Sequence, residues 1–343
     1  MTPDETPEET PQRVPVLEVL DPGLLLAVQA RGRPGLATEG VTPGGAADGW
    51  SMAVANALLG NDLGAAVLEA TLLGPTVRAL APVTVAIAGT MPGRVVGTGQ
   101  PVPPGSSVTL AAGEDLALET AVDGARGYLA IPGGIDVPVV VGSRSTALGA
   151  AFGGLEGRAL RAGDRLGARP AATLVVPGAH WPGPPSPPRV TTTSPLRVLA
   201  GPHAAELGPD ALRALVDGAW TVSPAGDRVG LRLAGRPLPG LATGELASHG
   251  VVTGAVQVPP DGMPIVLLVD HQPTGGYPVV AVVITADLPR LGQLAPGAPV
   301  AFRLVTTVDA RAALARTDAA FADAHAHLRE AAGWDELWRG AGS

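Results

Sequence analysis

Apolar residues along this chain come in short runs, each closed by Gly or Pro, and that pattern predicts strands rather than long helices. In the first half the runs cover 24–29, 67–72, 83–88, 107–111, 115–120 and 127–131, with a hairpin-like turn around Gly113. In the second half they cover 196–200, 220–222, 231–233, 251–258, 265–269, 279–284 and 299–305. Helical spacing is rarer. Trp50, Met52, Val54, Leu58 and Leu59 follow a capping Asp48 and stop at Gly60-Asn61, which predicts one clear helix. A short helix is expected over 210–216, and an alanine-rich amphipathic one over 309–332, where Leu314, Phe321 and Leu328 recur every seven residues. That last helix is expected to dock on the body or on a partner.

Proline divides the chain. The run Pro182-Gly183-Pro184-Pro185-Ser186-Pro187-Pro188 fits neither a helix nor a central strand, so a linker is placed at 170–195. It separates a β domain at 16–169 from a second at 196–308, with an acidic, proline-rich tail at 1–15 and a helix and tail at 309–343. Two core-bearing domains suit 343 residues.

Composition then narrows the chemistry. Mean hydropathy is positive, +0.27, yet the longest apolar runs fall far short of the ~20 residues a spanning helix needs, so no membrane segment is expected. The N-terminal stretch lacks a basic start and an apolar core, and a cytoplasmic location follows as the default. A net charge of −8 and a pI near 5.2 argue against a nucleic-acid partner. With no cysteine there is no thiol nucleophile, disulfide or thiolate zinc site. Every one of the 23 basic residues is Arg. Without lysine the chain offers no Schiff base, no P-loop lysine and no point of attachment for biotin, so any bound phosphate must be held by guanidinium and backbone N–H groups.

Several residue sets suit anion or carbonyl binding. Ser143-Arg144-Ser145-Thr146 after Gly142 concentrates hydroxyls, backbone donors and a guanidinium, as a carboxylate or phosphate site requires; alternatively Arg144 pairs with Asp136. Asp227-Arg228 either binds an anion or braces a turn. Glu69 lies inside an apolar run and needs a cationic partner, for which Arg33 and Arg78 are candidates. Asn56 points into a pocket or serves as a polar cap. Thr274-Gly275-Gly276-Tyr277 follows the buried strand at 265–269, and its successive N–H groups suit an oxyanion, with Gln257 adding an amide. Tyr277, one of two tyrosines, otherwise fills the seam between domains. The histidines form no metal set: His325 and His327 face different ways on a helix, and His180 and His203 lie beside the linker and a turn. Only His249 and His271 are candidates for a shared cleft. No G-x-S-x-G elbow is present, so a stand-alone hydrolase is not expected.

One family matches these motifs in order. The stretch 254–278, ending in Thr274-Gly275-Gly276-Tyr277-Pro278, resembles the C subunit of bacterial ATP-dependent 5-oxoprolinase, a family also known as allophanate hydrolase subunit 2 or biotin-dependent carboxyltransferase. Gly32-Arg33-Pro34-Gly35, Pro43-Gly44-Gly45-Ala46, Gly133-Gly134-Ile135-Asp136, Gly142-Ser143-Arg144-Ser145-Thr146 and Asp227-Arg228 are similar to the family's other signatures, so the resemblance spans roughly 16–305. Ala30, Ala47, His249 and His271 depart from it, the first and third where an acid is usual, which changes the charge near a polar site.

The resemblance implies a mostly β fold of two cyclophilin-like β-barrels with a few short helices and the C-terminal helix, and a binding cleft between them. It implies a component of an enzyme that uses ATP and water to open 5-oxoproline to glutamate. Arg144, Arg228 and Tyr277 would act on the anionic oxygens, and Asn56, Glu69, Ser143, Gln257, Thr274, Gly275 and Gly276 would hold the substrate. A B-type subunit would complete the site and an A-type subunit would be needed for turnover. Two alternatives share the resemblance: a carboxyltransferase component acting on urea or another amide, with biotin on a different chain, and a non-catalytic regulator that sequesters a kinase-inhibitor-like partner.

Overall fold

The computed structural model describes residues 14–171, 175–239 and 246–333. Parts of the expected N-terminal tail (1–13), linker (172–174) and C-terminal tail (334–343) lie outside them. The first half begins with β1 (Pro15–Asp21) and β2 (Leu25–Gln29), then α1 (Gly49–Ala57), β3 (Val67–Thr71), β4 (Thr76–Ala79) and β5 (Val83–Gly89). It continues through β6 (Gly93–Val95), β7 (Pro101–Val102), β8 (Ser106–Leu110), β9 (Asp115–Leu118), β10 (Arg126–Ala130) and β11 (Arg165–Gly167). These strands make two sheets, ordered β11-β1-β4-β9-β6-β7 and β2-β3-β10-β5-β8. Leu17, Val28, Leu68, Val77, Ile87, Leu116 and Leu129 fill the core of this half. On β5 every residue is buried, because Met52 and Val54 of α1 and Leu58 at its C-cap pack on Ala86, Ala88 and Tyr128 of the five-stranded sheet. Cover on both faces is what an uninterrupted apolar strand requires. Asp48 caps α1 by accepting from the Ser51 N–H.

The second half runs β12 (Leu196–Ala200), α2 (Ala204–Leu207), α3 (Pro209–Asp217), β13 (Trp220–Val222), β14 (Gly230–Ala234), β15 (His249–Gly250), β16 (Ala255–Gln257) and β17 (Ile265–Leu267). It ends with β18 (Thr274–Gly275), β19 (Val279–Val283), α4 (Leu288–Gly292), β20 (Pro299–Val300), β21 (Phe302–Leu304) and α5 (Thr307–Ala331). Eight strands form one sheet in the order β20-β13-β14-β17-β16-β19-β12-β21. Its two edge strands are separated in sequence only by Ala301. The sheet therefore curls round until its edges are joined through the chain, a nearly closed barrel. The expectation of a mostly β fold holds.

Two expected strands are corrected. The run 251–258 is not one strand: Gly254, at φ 85°, turns the chain, and only Ala255–Gln257 joins the main sheet. The run 299–305 breaks at Ala301 because its two pieces pair with opposite edges, β20 with β13 and β21 with β12.

Outside the sheets, the proline-rich stretch lies against the first half, where His180 bridges to Ser106 and Trp181 is buried. Helix α5 opens with a Thr306–Asp309 capping box and touches both halves. Ala313 packs with Ile284 and Ala286, while Phe321 meets Trp50 edge-on at 5.1 Å and Trp181 at 5.0 Å. Leu328 is buried with them.

Candidate functional site

Glu69 sits in the middle of β3, 2% exposed, and a carboxylate there is stable only when its lone pairs are all engaged. Its partners are not Arg33 or Arg78. Oε1 is paired with Arg228 from the second half and lies 3.5 Å from Arg126 Nε, while Oε2 accepts from the Tyr128 hydroxyl and the Ala47 N–H, each at 2.8 Å. Arg78 instead pairs with Asp115 across β4 and β9 of the six-stranded sheet. Arg33 donates to the Val140 and Ser145 carbonyls and lies 4.7 Å over the Phe152 ring. Arg126 and Tyr128 stand on β10, whose register places Tyr128 directly across from Glu69.

Arg228 is 5% exposed and its N–H groups are spent on protein oxygens. It makes two bonds to Asp270, at 2.8 and 3.1 Å, one to the Gly45 carbonyl at 2.7 Å, and the pair with Glu69. Burial pulls its pKa down, but Glu69 and Asp270 outweigh that and hold it above the ordinary arginine value. The approach to Gly45 needs glycine: φ is 93°, and a Cβ would lie 2.8 Å from the Gly32 nitrogen. Beside this group, Asp48 accepts from Ser51 and, at 2.7 Å, from Gln293 Nε2, and Gln293 Oε1 in turn accepts from the backbone of Ala125 and Arg126. Asp48 is wholly buried, which raises its pKa to about 6 despite those bonds. Burial also lifts Tyr128 well above the usual phenol, helped by the charge of Glu69. The two halves are thus joined by a buried ionic seam.

A second group lies at the open corner of the second half. The β15–β18 ladder sets His249 opposite Gly275. Gly275 in turn lies so close to Gln257 that a Cβ would stand 2.5 Å from its Nε2. The His249 and His203 rings are 4.6 Å apart, and His203 Nδ1 accepts from the Val279 N–H at 3.1 Å. His249 Nδ1 lies 3.3 Å from the Ala247 carbonyl, which only accepts, so Nδ1 is the donor in that contact. Gln257 Nε2 and His249 Nε2 are both buried without a hydrogen-bond partner among the described residues. Thr274 and Gly276 are exposed, and Tyr277 is 45% exposed at the edge of this corner. His271 is elsewhere, 1% exposed, donating from Nδ1 to the Gln272 carbonyl; burial lowers its pKa, against that bond and the charge of Asp270, which raise it.

The third group belongs to the first half. Ser143, Ser145 and Thr146 are buried, and their hydroxyls bond to the main chain of residues 28–31. Arg144, between them, lines a cavity of about 380 Å³ together with Arg31, Asn61 and Arg169. Asn56 does not line it. Its amide bonds to the Leu63 and Ala65 carbonyls and to Asn61, holding the turn that carries Asn61 in place.

The ten expected residues thus fall into three places: Glu69 with Arg228, Gln257 with Thr274, Gly275, Gly276 and Tyr277, and Ser143 with Arg144, braced by Asn56 through Asn61. Sequence reasoning missed Asp48, Arg126, Tyr128, Asp270 and Gln293 as members of the seam. A signal existed for two of them, since Arg126 and Tyr128 are polar residues in or beside an apolar strand, as Glu69 is.

Comparison with known proteins agrees with this architecture. The carboxyltransferase domain family, subdomains A and B, matches residues 39–304. The chain is 37% identical over 294 residues to the C subunit of 5-oxoprolinase from Escherichia coli K12, covering 84% of this chain and 90% of that one. Among solved structures, TTHA0988 superposes with a TM-score of 0.76 at 38% identity over 85% of this chain, which spans 56% of it. The K. lactis urea amidolyase gives 0.80 at 28% identity over 91% of this chain, which spans only 20% of that protein. No helix among the described residues is long and apolar enough to cross a membrane.

Proposed function

The chain belongs to the carboxyltransferase domain family, and from that premise we propose that it is the C-type subunit of a cytoplasmic, ATP-dependent 5-oxoprolinase whose site is completed by a B-type subunit and driven by an A-type subunit. The higher identity to a protein named as the C subunit of 5-oxoprolinase, 37% against 30–32% for the urea amidolyases and urea carboxylase, favours this over a urea carboxylase role.

Within the chain, the observation that carries the proposal is the buried Nε2 of Gln257 beside Gly275, which has no hydrogen-bond partner among the described residues. A buried amide donor left without an acceptor costs about 1–3 kcal/mol. A lactam carbonyl oxygen arriving at this corner removes that cost, and the bond strengthens as the oxygen gains negative charge. In the overall reaction ATP hydrolysis and lactam hydrolysis each consume one water. Phosphoryl transfer from ATP to the carbonyl oxygen releases ADP. Water then adds to the activated carbon, and the ring C–N bond breaks as its nitrogen takes up a proton. A second water cleaves the resulting acyl phosphate to glutamate and phosphate. Gln257 and the Thr274–Gly276 backbone orient the oxygen, Tyr277 closes the corner, and Arg228 acts through position, fixing the loop at Gly45 and the segment that begins at Asp270. ATP, if held on this chain, meets only guanidinium and backbone donors.

Co-expression with the B-type and A-type subunits, followed by an assay of glutamate and ADP from 5-oxoproline and ATP, tests the proposal. Gln257→Ala should lower kcat by about a hundredfold, the usual cost of one oxyanion donor, while the complex still assembles. A stable complex of wild-type subunits without product would overturn it in favour of carboxyl transfer or partner regulation.

A further inference from the structure

Three arginines converge on the 380 Å³ cavity of the first half, and their arrangement asks for an anion. Arg31 leaves the end of β2, Arg169 follows β11, and Arg144 sits on the loop between them. The loop is fixed before any ligand arrives. Ser143 Oγ donates to the Arg31 carbonyl at 2.6 Å, Ser145 Oγ bonds to both the N–H and the carbonyl of Ala30, and Thr146 Oγ1 donates to the Val28 carbonyl. Arg144, flanked by these buried hydroxyl residues, is only half-buried, and Arg31 and Arg169 are exposed. The lining holds one acid, Asp62, and one of its oxygens already accepts from the Gly64 N–H at 2.8 Å. Gly142, also in the lining, has open space where a Cβ would be. Three guanidinium groups lining one cavity supply the forked donors that a phosphate group takes, and here they gather in a chain whose net charge is −8.

We infer that this cavity is a phosphate-binding site, taking a phosphate group through two or more guanidinium forks. Its size is at the small end for a ligand pocket, enough for a phosphate group or the phosphate tail of a nucleotide but not for a large substrate. Free phosphate and the tail of ATP or ADP share this chemistry. That the nucleotide is the source rests on the oxoprolinase proposal; the binding of phosphate does not.

Calorimetric titration of the full chain with inorganic phosphate, ADP and ATP, each at low and high salt, tests the inference. Saturable one-to-one binding is expected, weakened at least tenfold by Arg144→Gln and abolished in the triple variant Arg31→Gln, Arg144→Gln, Arg169→Gln. A control with the same loss of charge at the exposed Arg232, Arg236 and Arg311 should bind as wild type, and circular dichroism should show all variants folded. ATP or ADP binding tenfold tighter than phosphate identifies the nucleotide tail as the occupant; equal affinities identify free phosphate. Absence of saturable binding by the wild-type chain overturns the inference, and so does binding that survives in the triple variant. In the assembled complex the triple variant should raise KM for ATP and leave KM for 5-oxoproline unchanged. Phosphate binding by a wild-type chain whose complex has no turnover would sink the oxoprolinase proposal alone.

Discussion

The seam between the halves and the arginine cavity of the first half are both rich in guanidinium groups, yet they are built in opposite ways. At the seam, Arg228 and Arg126 are buried against Glu69 and Asp270. In the cavity, Arg31, Arg144 and Arg169 line the wall with Asp62, and Arg31 and Arg169 are exposed. The difference teaches where charge fixes structure and where it awaits a ligand. A buried ion pair adds little net stability over an apolar contact, but breaking it strands a charge without water. Exposed charges such as Arg31 and Arg169 contribute little to folding, and an anion that binds between them would add stability only when present.

The largest expected effect comes from stranding a charge in the seam. Arg228→Ala leaves Glu69 and Asp270 buried without their shared partner, and removal of one member of such a pair costs about 3–5 kcal/mol. Chemical denaturation of the purified chain measures it. Glu69→Gln in the Arg228→Ala background should restore part of the loss, since a neutral amide needs no counter-charge; strictly additive losses would show that the two residues do not act as one unit.

Much of the fold was legible because strands that are apolar throughout announce themselves locally, as 83–88 and 127–131 do beneath α1. The strand Pro15–Asp21 was not found: Glu18 interrupts it, its inward residues being Leu17 and Val19 alone. Short ladders such as His249–Gly250 with Thr274–Gly275 carry no periodicity and exist only through their partner. The seam was half legible. Glu69 in an apolar strand demanded a cation, but of the two that meet it one comes from the neighbouring strand β10 and the other, Arg228, lies 159 residues away, and no spacing rule connects them. The T-G-G-Y and S-R-S-T motifs were legible as chemistry, whereas the roles of Ser145 and Thr146 as anchors depended on which strand edge they face.

The next effect is a pH dependence confined to the seam. Burial raises the folded-state pKa of Asp48 to about 6, above the unfolded value near 3.9. Between those values the folded protein holds a proton that the unfolded chain has lost, so this group's contribution to stability is full below pH 4, falls as pH rises, and levels off above about 6. The amplitude is about 3 kcal/mol. Asp48→Asn keeps a capping oxygen and should flatten that part of the profile, measured by denaturation between pH 4 and 7. A profile unchanged by the substitution would assign the dependence to another group.

Helix α5 clamps the halves from outside, and its contribution should be smaller and separable. Leu328→Ala removes the side chain buried beside Trp181 and should cost about 2 kcal/mol, the low end for a buried leucine, because the helix surface relaxes. The pH profile set by Asp48 should remain, since α5 contributes no residue to the seam. Disappearance of that profile would mean that the seam exists only while α5 is docked.

The smallest expected effect is the one that separates the two arginine groups most cleanly. Arg31→Gln removes an exposed cation from the cavity, and exposed substitutions change stability by about 0.5 kcal/mol or less. Relief of repulsion from Arg144 and Arg169 should make the change neutral or slightly stabilising at low salt, with the gain shrinking as salt screens the charges. Added phosphate should then stabilise the wild-type chain more than the variant, because only a ligand that binds the folded state raises its melting temperature. A loss of several kcal/mol without ligand would place Arg31 with the seam, as a residue whose charge the fold itself consumes.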